Sequence, residues 1–201
     1  MKFSILTAIA AFAFIIAPAA HAAPKVGEMA PDFTAVDQDG NSHNLSDFKG
    51  KTVVLEWTNH ECPFVVKHYG VGNMQKHQKE ATDNGVVWLS INSSANGKQG
   101  HISSETAANV KKEVGSHATA LLLDESGDIG KLYDAKTTPH MFVVDAEGKI
   151  AYAGAIDSDS GFSSDGIEGA TNYVSEALNS IANGEEIKVA STKPYGCSVK
   201  Y

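Results

Sequence analysis

Apolar and polar positions along the chain fall into an order of short strands and amphipathic helices. After an extended, proline-bounded stretch at residues 23–31, residues 32–36 and the stretch around 43–45 read as short strands flanking the turn Asp37-Gln38-Asp39-Gly40. The nearly continuous apolar run "TVVLEW" at residues 52–57 suits a central strand buried on both faces. Its alternation sets Val54 and Glu56 on one side and Val53, Leu55 and Trp57 on the other. Residues 63–83 read as helix, weakened in the first half by Gly70 and Gly72. A second β-branched run covers 86–91, and a polar loop follows at 92–100. Ser103 or Ser104 caps a helix through Ala107, Val110 and Val114. Residues 121–124 form the next strand, 141–145 and 150–154 a β-hairpin, and 168–182 a last amphipathic helix. Strands alternating with helices predict an α/β domain with a mainly parallel sheet covered on both faces.

The ends of the chain break this pattern. Lys2, an apolar run at 5–16 and the small-residue stretch ending in Ala20-His21-Ala22 have the layout of a secretory signal peptide, residues 1–22. The expected product is a periplasmic or secreted protein with no membrane attachment after cleavage. Residues 23–182 then form the domain. Residues 183–201 contain no obvious core element and read as a C-terminal tail carrying the second cysteine, whose flexible polar stretch 183–193 allows it to reach across the domain or onto a second subunit.

Composition narrows the function. The chain has 16 Lys and no Arg against 24 acidic residues, a formal charge of −8 without acidic blocks, which argues against nucleic-acid binding. Two cysteines in a domain this large are too few for a disulfide scaffold; in an oxidising compartment they bridge or work as a redox couple. No dinucleotide fingerprint or phosphate-cradling glycine pattern is present, so no cofactor is expected and electrons must come from another protein.

Cys62 follows the buried strand and the loop Thr58-Asn59-His60-Glu61, and Pro63 suits the first position of the next helix. A helix N-terminus favours a thiolate over a thiol, and His60 and Lys67 lie close enough in sequence to add positive charge. Glu56 is a carboxylate inside a buried strand; burial raises such a pKa, making it a candidate proton acceptor through water. Thr137-Thr138-Pro139-His140 precedes a strand, an allowed place for proline, and most X–Pro bonds are trans. His60, Cys62, His68 and His77 with Met74 form a conceivable soft metal set, but helix-surface histidines are the better reading. Asp157 and Asp159 read as a solvated loop rather than a calcium loop. No metal is expected.

The segment "VVLEWTNHECPFV" resembles the active-site segment of the thioredoxin superfamily, and "TTPHMFVVD" is similar to that superfamily's cis-proline loop. Together with "NHECPFVVKHYGVGNMQ", "AGAIDSD" and the terminal "KPYGCSVKY", the chain resembles peroxiredoxin-like redoxins of the AhpC/TSA group. The resemblance implies a thioredoxin-like fold, with a central mixed sheet and an N-terminal β-hairpin. It also implies a reactive Cys62, Pro139 beside it, and Glu56 in the place of the superfamily's buried acid. Two departures qualify it. Val65 stands where a Cys-x-x-Cys reductase has its second thiol, and Asn59 stands where a peroxiredoxin has threonine, with no arginine to hold peroxide.

Cys197 is then the internal candidate for a resolving thiol, with a static Cys62–Cys197 bridge and independent thiols as the other readings. The expected activity is thiol-disulfide exchange with a protein thiol or disulfide partner. An atypical thiol peroxidase acting on peroxide and a non-enzymatic, copper-handling module with a static disulfide are the alternatives. The sequence leaves oligomeric state open.

Overall fold

The computed structural model describes residues 23–201. The signal peptide expected at residues 1–22 lies outside the described residues. Among those described, no helix is long and apolar enough to cross a membrane.

The strands are β1 (Thr34–Asp37), β2 (Ser42–Asn44), β3 (Val53–Trp57), β4 (Val87–Asn92), β5 (Ala120–Leu123), β6 (Thr137–Thr138), β7 (His140–Val144), β8 (Ile150–Gly154) and β9 (Cys197–Ser198). The helices are α1 (Pro63–Gly70), α2 (Asn73–Asp83), α3 (Ser104–Glu113), α4 (Asp128–Leu132) and α5 (Tyr173–Asn183). Seven strands form one sheet in the order β2-β1-β5-β4-β3-β7-β8, while β6 and β9 form a separate two-stranded pair. Among the strands of the described residues, β3–β4 and β4–β5 pair in parallel and the other strand pairs are antiparallel. The mainly parallel sheet expected from strand–helix alternation is therefore mixed, because hairpins supply both of its edges.

The alternation along β3 is realised. Val53, Leu55 and Trp57 join Leu89, Ile91, Leu122 and Phe142 in one core. Val54 joins Trp88, Met141, Val143 and Tyr152 in the other, closed by Met74 and Ala81 of α2 and by Val174 and Ala177 of α5. The helix expected over residues 63–83 is two helices. Gly72 caps α2 at φ +76, a left-handed turn that glycine enters without steric penalty, so α2 sets off in a new direction. Asn172 caps α5 by accepting from the Ser175 N–H, which starts that helix later than the apolar pattern suggested.

The tail reaches across the domain. Residues 183–201 do not dangle; the second half is a strap laid across the body. Ala153 N–H donates to Ala190 O at 3.1 Å, and Thr192 N–H donates back to Ala153 O at 3.1 Å. Thr192 Oγ1 also accepts from Ala155 N at 2.9 Å and meets the Tyr152 hydroxyl at 2.6 Å. Further on, β9 pairs with β6, Val199 N–H donates to Lys136 O at 3.2 Å, and Ala95 N–H donates to Lys200 O at 2.8 Å. Tyr201 ends the chain with its ring on Gly127 and Gly130 and its hydroxyl on Ala135 O at 2.8 Å. Backbone hydrogen bonds at four places make the strap a docked element rather than a linker.

Candidate functional site: two thiols across a threonine

Cys62 is the N-cap of α1, with Pro63 at the first helical position as its sequence implies. The loop before it is rigid. Cys62 N–H donates to Asn59 O at 3.0 Å, and Thr58 N–H extends the sheet by donating to Ile91 O at 2.9 Å. The Asn59 side chain is spent on this loop, accepting from Glu61 N at 2.9 Å and donating to Gln99 O at 3.1 Å. It therefore offers no donor to a substrate where a peroxiredoxin has its threonine. Lys67 is likewise committed, its ammonium donating to Asp159 O, Asp159 Oδ2 and Gly161 O at 2.6, 3.2 and 2.9 Å. The positive charge expected from Lys67 at the sulfur goes elsewhere.

The sulfur itself is fully buried, and Thr138 and the strap surround it. Cys62 Sγ donates to Thr138 O at 3.1 Å. Thr138 is paired in register with Cys197, so one residue carries a thiol on each side of it. Both cysteines are free thiols, Cys62 buried and Cys197 half-buried. The peptide bond Thr138–Pro139 is cis, which places Pro139 at the same corner.

This geometry sets the two thiols apart electrostatically. Burial pushes the Cys62 pKa up, but the Cys197 thiol, the Thr138 hydroxyl and the N–H groups of Cys197 and Val65 more than offset it, holding Cys62 below the ordinary thiol value. Cys197 moves the opposite way. Burial and the bond to Cys62 push it up to about 11, against a smaller pull from Lys200. Cys62 is thus the more acidic thiol of the two and Cys197 the less acidic. Thr138 Oγ1 is a buried hydroxyl with no hydrogen-bond partner.

Glu56 is wholly buried and touches neither thiol. Its Oε1 accepts from the Tyr69 hydroxyl at 3.0 Å. Its Oε2 accepts from Gln78 Nε2, Trp88 Nε1 and Ser90 Oγ at 3.0, 2.8 and 2.9 Å. A cleft of about 410 Å³ opens beside this cluster, lined among others by Thr58, His60, Val65, Tyr69, Ser90 and Val114. Neither cysteine lines it.

Two residues expected at the surface are core. His68 is fully buried, and burial followed by the charges of Lys67 and His77 lowers its pKa to about 3. Asp157, expected in a solvated loop, is 3 % exposed, and burial raises its pKa. Both are buried because the strap's Tyr195 covers them. His68, His77 and His60 do not converge: His77 meets Ser175 Oγ at 2.9 Å, and His60 lies nearest Glu61. Sequence reasoning also missed Thr138; its only signal was its place before Pro139.

Comparison with known proteins places this arrangement. The AhpC/TSA family model matches residues 26–153. The chain belongs to the AhpC/TSA family. Cys62, Glu56 and Pro139 of this AhpC/TSA protein fall inside the matched segment, whereas Cys197 and the strap fall outside it. The thiol-disulfide oxidoreductase ResA of Bacillus thuringiensis subsp. konkukian is 27 % identical over 128 residues, 63 % of this chain and 67 % of that protein. A hypothetical protein from Sinorhizobium meliloti 1021 superposes with a TM-score of 0.76 at 23 % identity, over 90 % of this chain and 96 % of its own. The thioredoxin domain of a thiol-disulfide oxidoreductase from Bacteroides vulgatus matches at a TM-score of 0.51 and 27 % identity, over 64 % of this chain and 87 % of that one. The fold of this AhpC/TSA protein is thioredoxin-like.

Proposed function

We propose that this protein is an exported thiol-disulfide oxidoreductase in which Cys62 exchanges with a partner protein and Cys197 resolves within the same chain. The observation that carries this reading is the register of β6 and β9, which seats Cys197 opposite the threonine that Cys62 contacts. The similarity to proteins named thiol-disulfide oxidoreductases supports it. Export rests on the sequence of residues 1–22.

In the reducing direction the Cys62 thiolate attacks one sulfur of a partner disulfide. A Cys62–partner bond forms, and the partner's other sulfur leaves as thiolate. Cys197 then attacks Cys62 Sγ and passes its proton to the departing partner thiol. The partner leaves as a dithiol and the pair as a Cys62–Cys197 disulfide, two electrons having moved outward. A donor dithiol resets the pair by the reverse exchange. Pro139 shapes the partner groove beside the sulfur. Glu56 touches neither thiol, and neither cysteine lines the cleft beside it, so its part is to tie α1, α2 and β4 to β3 behind the site.

Titration with oxidised glutathione followed by peptide mapping tests the mechanism. The expected product is a Cys62–Cys197 peptide pair in a single chain. Cys197→Ser should accumulate a Cys62 mixed disulfide, and Cys62→Ser should lose disulfide reductase activity to background. A wild-type protein in which no Cys62–Cys197 pair forms would sink the proposal.

A further inference from the structure

The strap is held upstream of Cys197 by Thr192, at Cys197 and Ser198 by the β6–β9 pairing, and downstream by Val199, Lys200 and Tyr201. Just before Gly196 and Cys197, the side chain that holds it is Tyr195. The ring packs against Phe64, with centroids 5.9 Å apart, and lies under the Lys67 ammonium at 5.1 Å. The hydroxyl donates to Asp157 Oδ1 and meets His68 Nε2 at 3.1 Å. His68 Nδ1 lies 2.8 Å from the Asn73 amide nitrogen, so Asn73 donates to Nδ1 and the ring proton sits on Nε2. A directed chain results: Asn73 to His68, His68 to Tyr195, Tyr195 to Asp157. Asp157 Oδ1 also accepts from Asp159 N at 3.1 Å.

No member of this chain touches either sulfur, yet it buries a carboxylate and an imidazole. Such groups are costly to bury unless each bond is made. Their bonds converge on one hydroxyl, two residues from the resolving thiol. Gly196 beyond it carries no side chain to anchor the strap, so the hydroxyl is the nearest side-chain anchor upstream of Cys197.

We infer that Tyr195 is a positioning residue of the thiol exchange, its hydroxyl fixed by Asp157 and His68 so that Cys197 is held on Cys62. This rests on the exchange proposed above. Intramolecular attack depends on the effective concentration of one thiol at the other. Losing the hydroxyl leaves the ring and the β6–β9 pairing in place but loosens the strap on the upstream side of Cys197, which lowers that concentration and uncovers Cys62.

Equilibration with glutathione tests this, reading the ratio of Cys62–Cys197 disulfide to glutathione mixed disulfide, alongside the iodoacetamide alkylation rate of Cys62 in the reduced protein. Tyr195→Phe should lower the ratio about tenfold and raise the alkylation rate about tenfold, both read without denaturant where circular dichroism shows the reduced variant folded. Asp157→Asn, which keeps an oxygen for the hydroxyl, should retain most of the ratio, whereas Asp157→Ala should match Tyr195→Phe. Wild-type ratio and alkylation rate in Tyr195→Phe would overturn the inference, as would a wild-type ratio in Asp157→Ala. A wild-type chain that forms no Cys62–Cys197 bond would sink the exchange itself, and the alkylation rates would then read the tyrosine's role alone.

Discussion

At Cys62 the same neighbours serve two protonation states. The thiol donates to the Thr138 carbonyl, while the neighbouring Cys197 thiol and Thr138 hydroxyl favour the charged form and lower its pKa. A buried sulfur can hold charge here because donors, rather than lysines, surround it. The close approach that permits this falls at Gly196, where φ is +137 and a Cβ would be driven into the Thr138 carbonyl. We expect Gly196→Ala to lift the strap from Thr138, cost about 1–3 kcal/mol in urea unfolding, and reduce Cys62–Cys197 disulfide yield. Unchanged stability and yield would show that another residue sets the approach. Val65 stands where a Cys-x-x-Cys motif has its second thiol, and Gly196 is what lets a thiol 135 positions further along the chain come up to Thr138.

Among the elements, the break between α1 and α2 does the most to shape the site. One continuous helix would present a single face, whereas two helices meeting at Gly72 send both Tyr69 and Gln78 to the Glu56 carboxylate. Glu56 is thereby the acceptor that ties α1, α2 and β4 to β3. Glu56→Ala would leave four buried donors without an acceptor, each costing about 1–3 kcal/mol before water enters. We expect it to lose at least about 3 kcal/mol in urea unfolding, with Glu56→Gln losing less because one acceptor oxygen remains. A loss under about 1 kcal/mol for the alanine variant would mean that water replaces the carboxylate without penalty.

For the molecule as a whole, pH tests how firmly the buried histidines are held neutral. Burial lowers His68 to about 3 and His140 to about 4, both below the ordinary value near 6.5. The unfolded chain therefore takes up protons that the folded chain refuses. This contribution is fully present above pH 6.5 and is lost as pH falls toward the folded values, at about 1.4 kcal/mol per pH unit for each ring. Asp157, raised by burial, offsets part of the loss at the acid end. Chemical denaturation from pH 7 to pH 4.5 should show stability falling with acid below about pH 6.5. A flat profile across that window would mean that both rings titrate normally in the folded state.

What the sequence determined by itself was local. Period-two alternation located β3 with Glu56 on its buried inner face, and a proline after Cys62 marked a helix start, because both signals depend only on neighbouring residues. The β-hairpin of β7 and β8 was legible for the same reason. The tertiary structure alone decided which residues meet across long separations. A polar, glycine-containing tail reads as solvent-exposed until Gly154, Gly127 and Gly130 on the body are seen to leave room for Thr192 and Tyr201. Asp157 and His68 read as surface groups until Tyr195 covers them. The sequence named Cys197 only because it is the other thiol; its seat opposite Thr138, whose carbonyl Cys62 contacts, follows from the β6–β9 register, a contact between distant segments that no local pattern encodes.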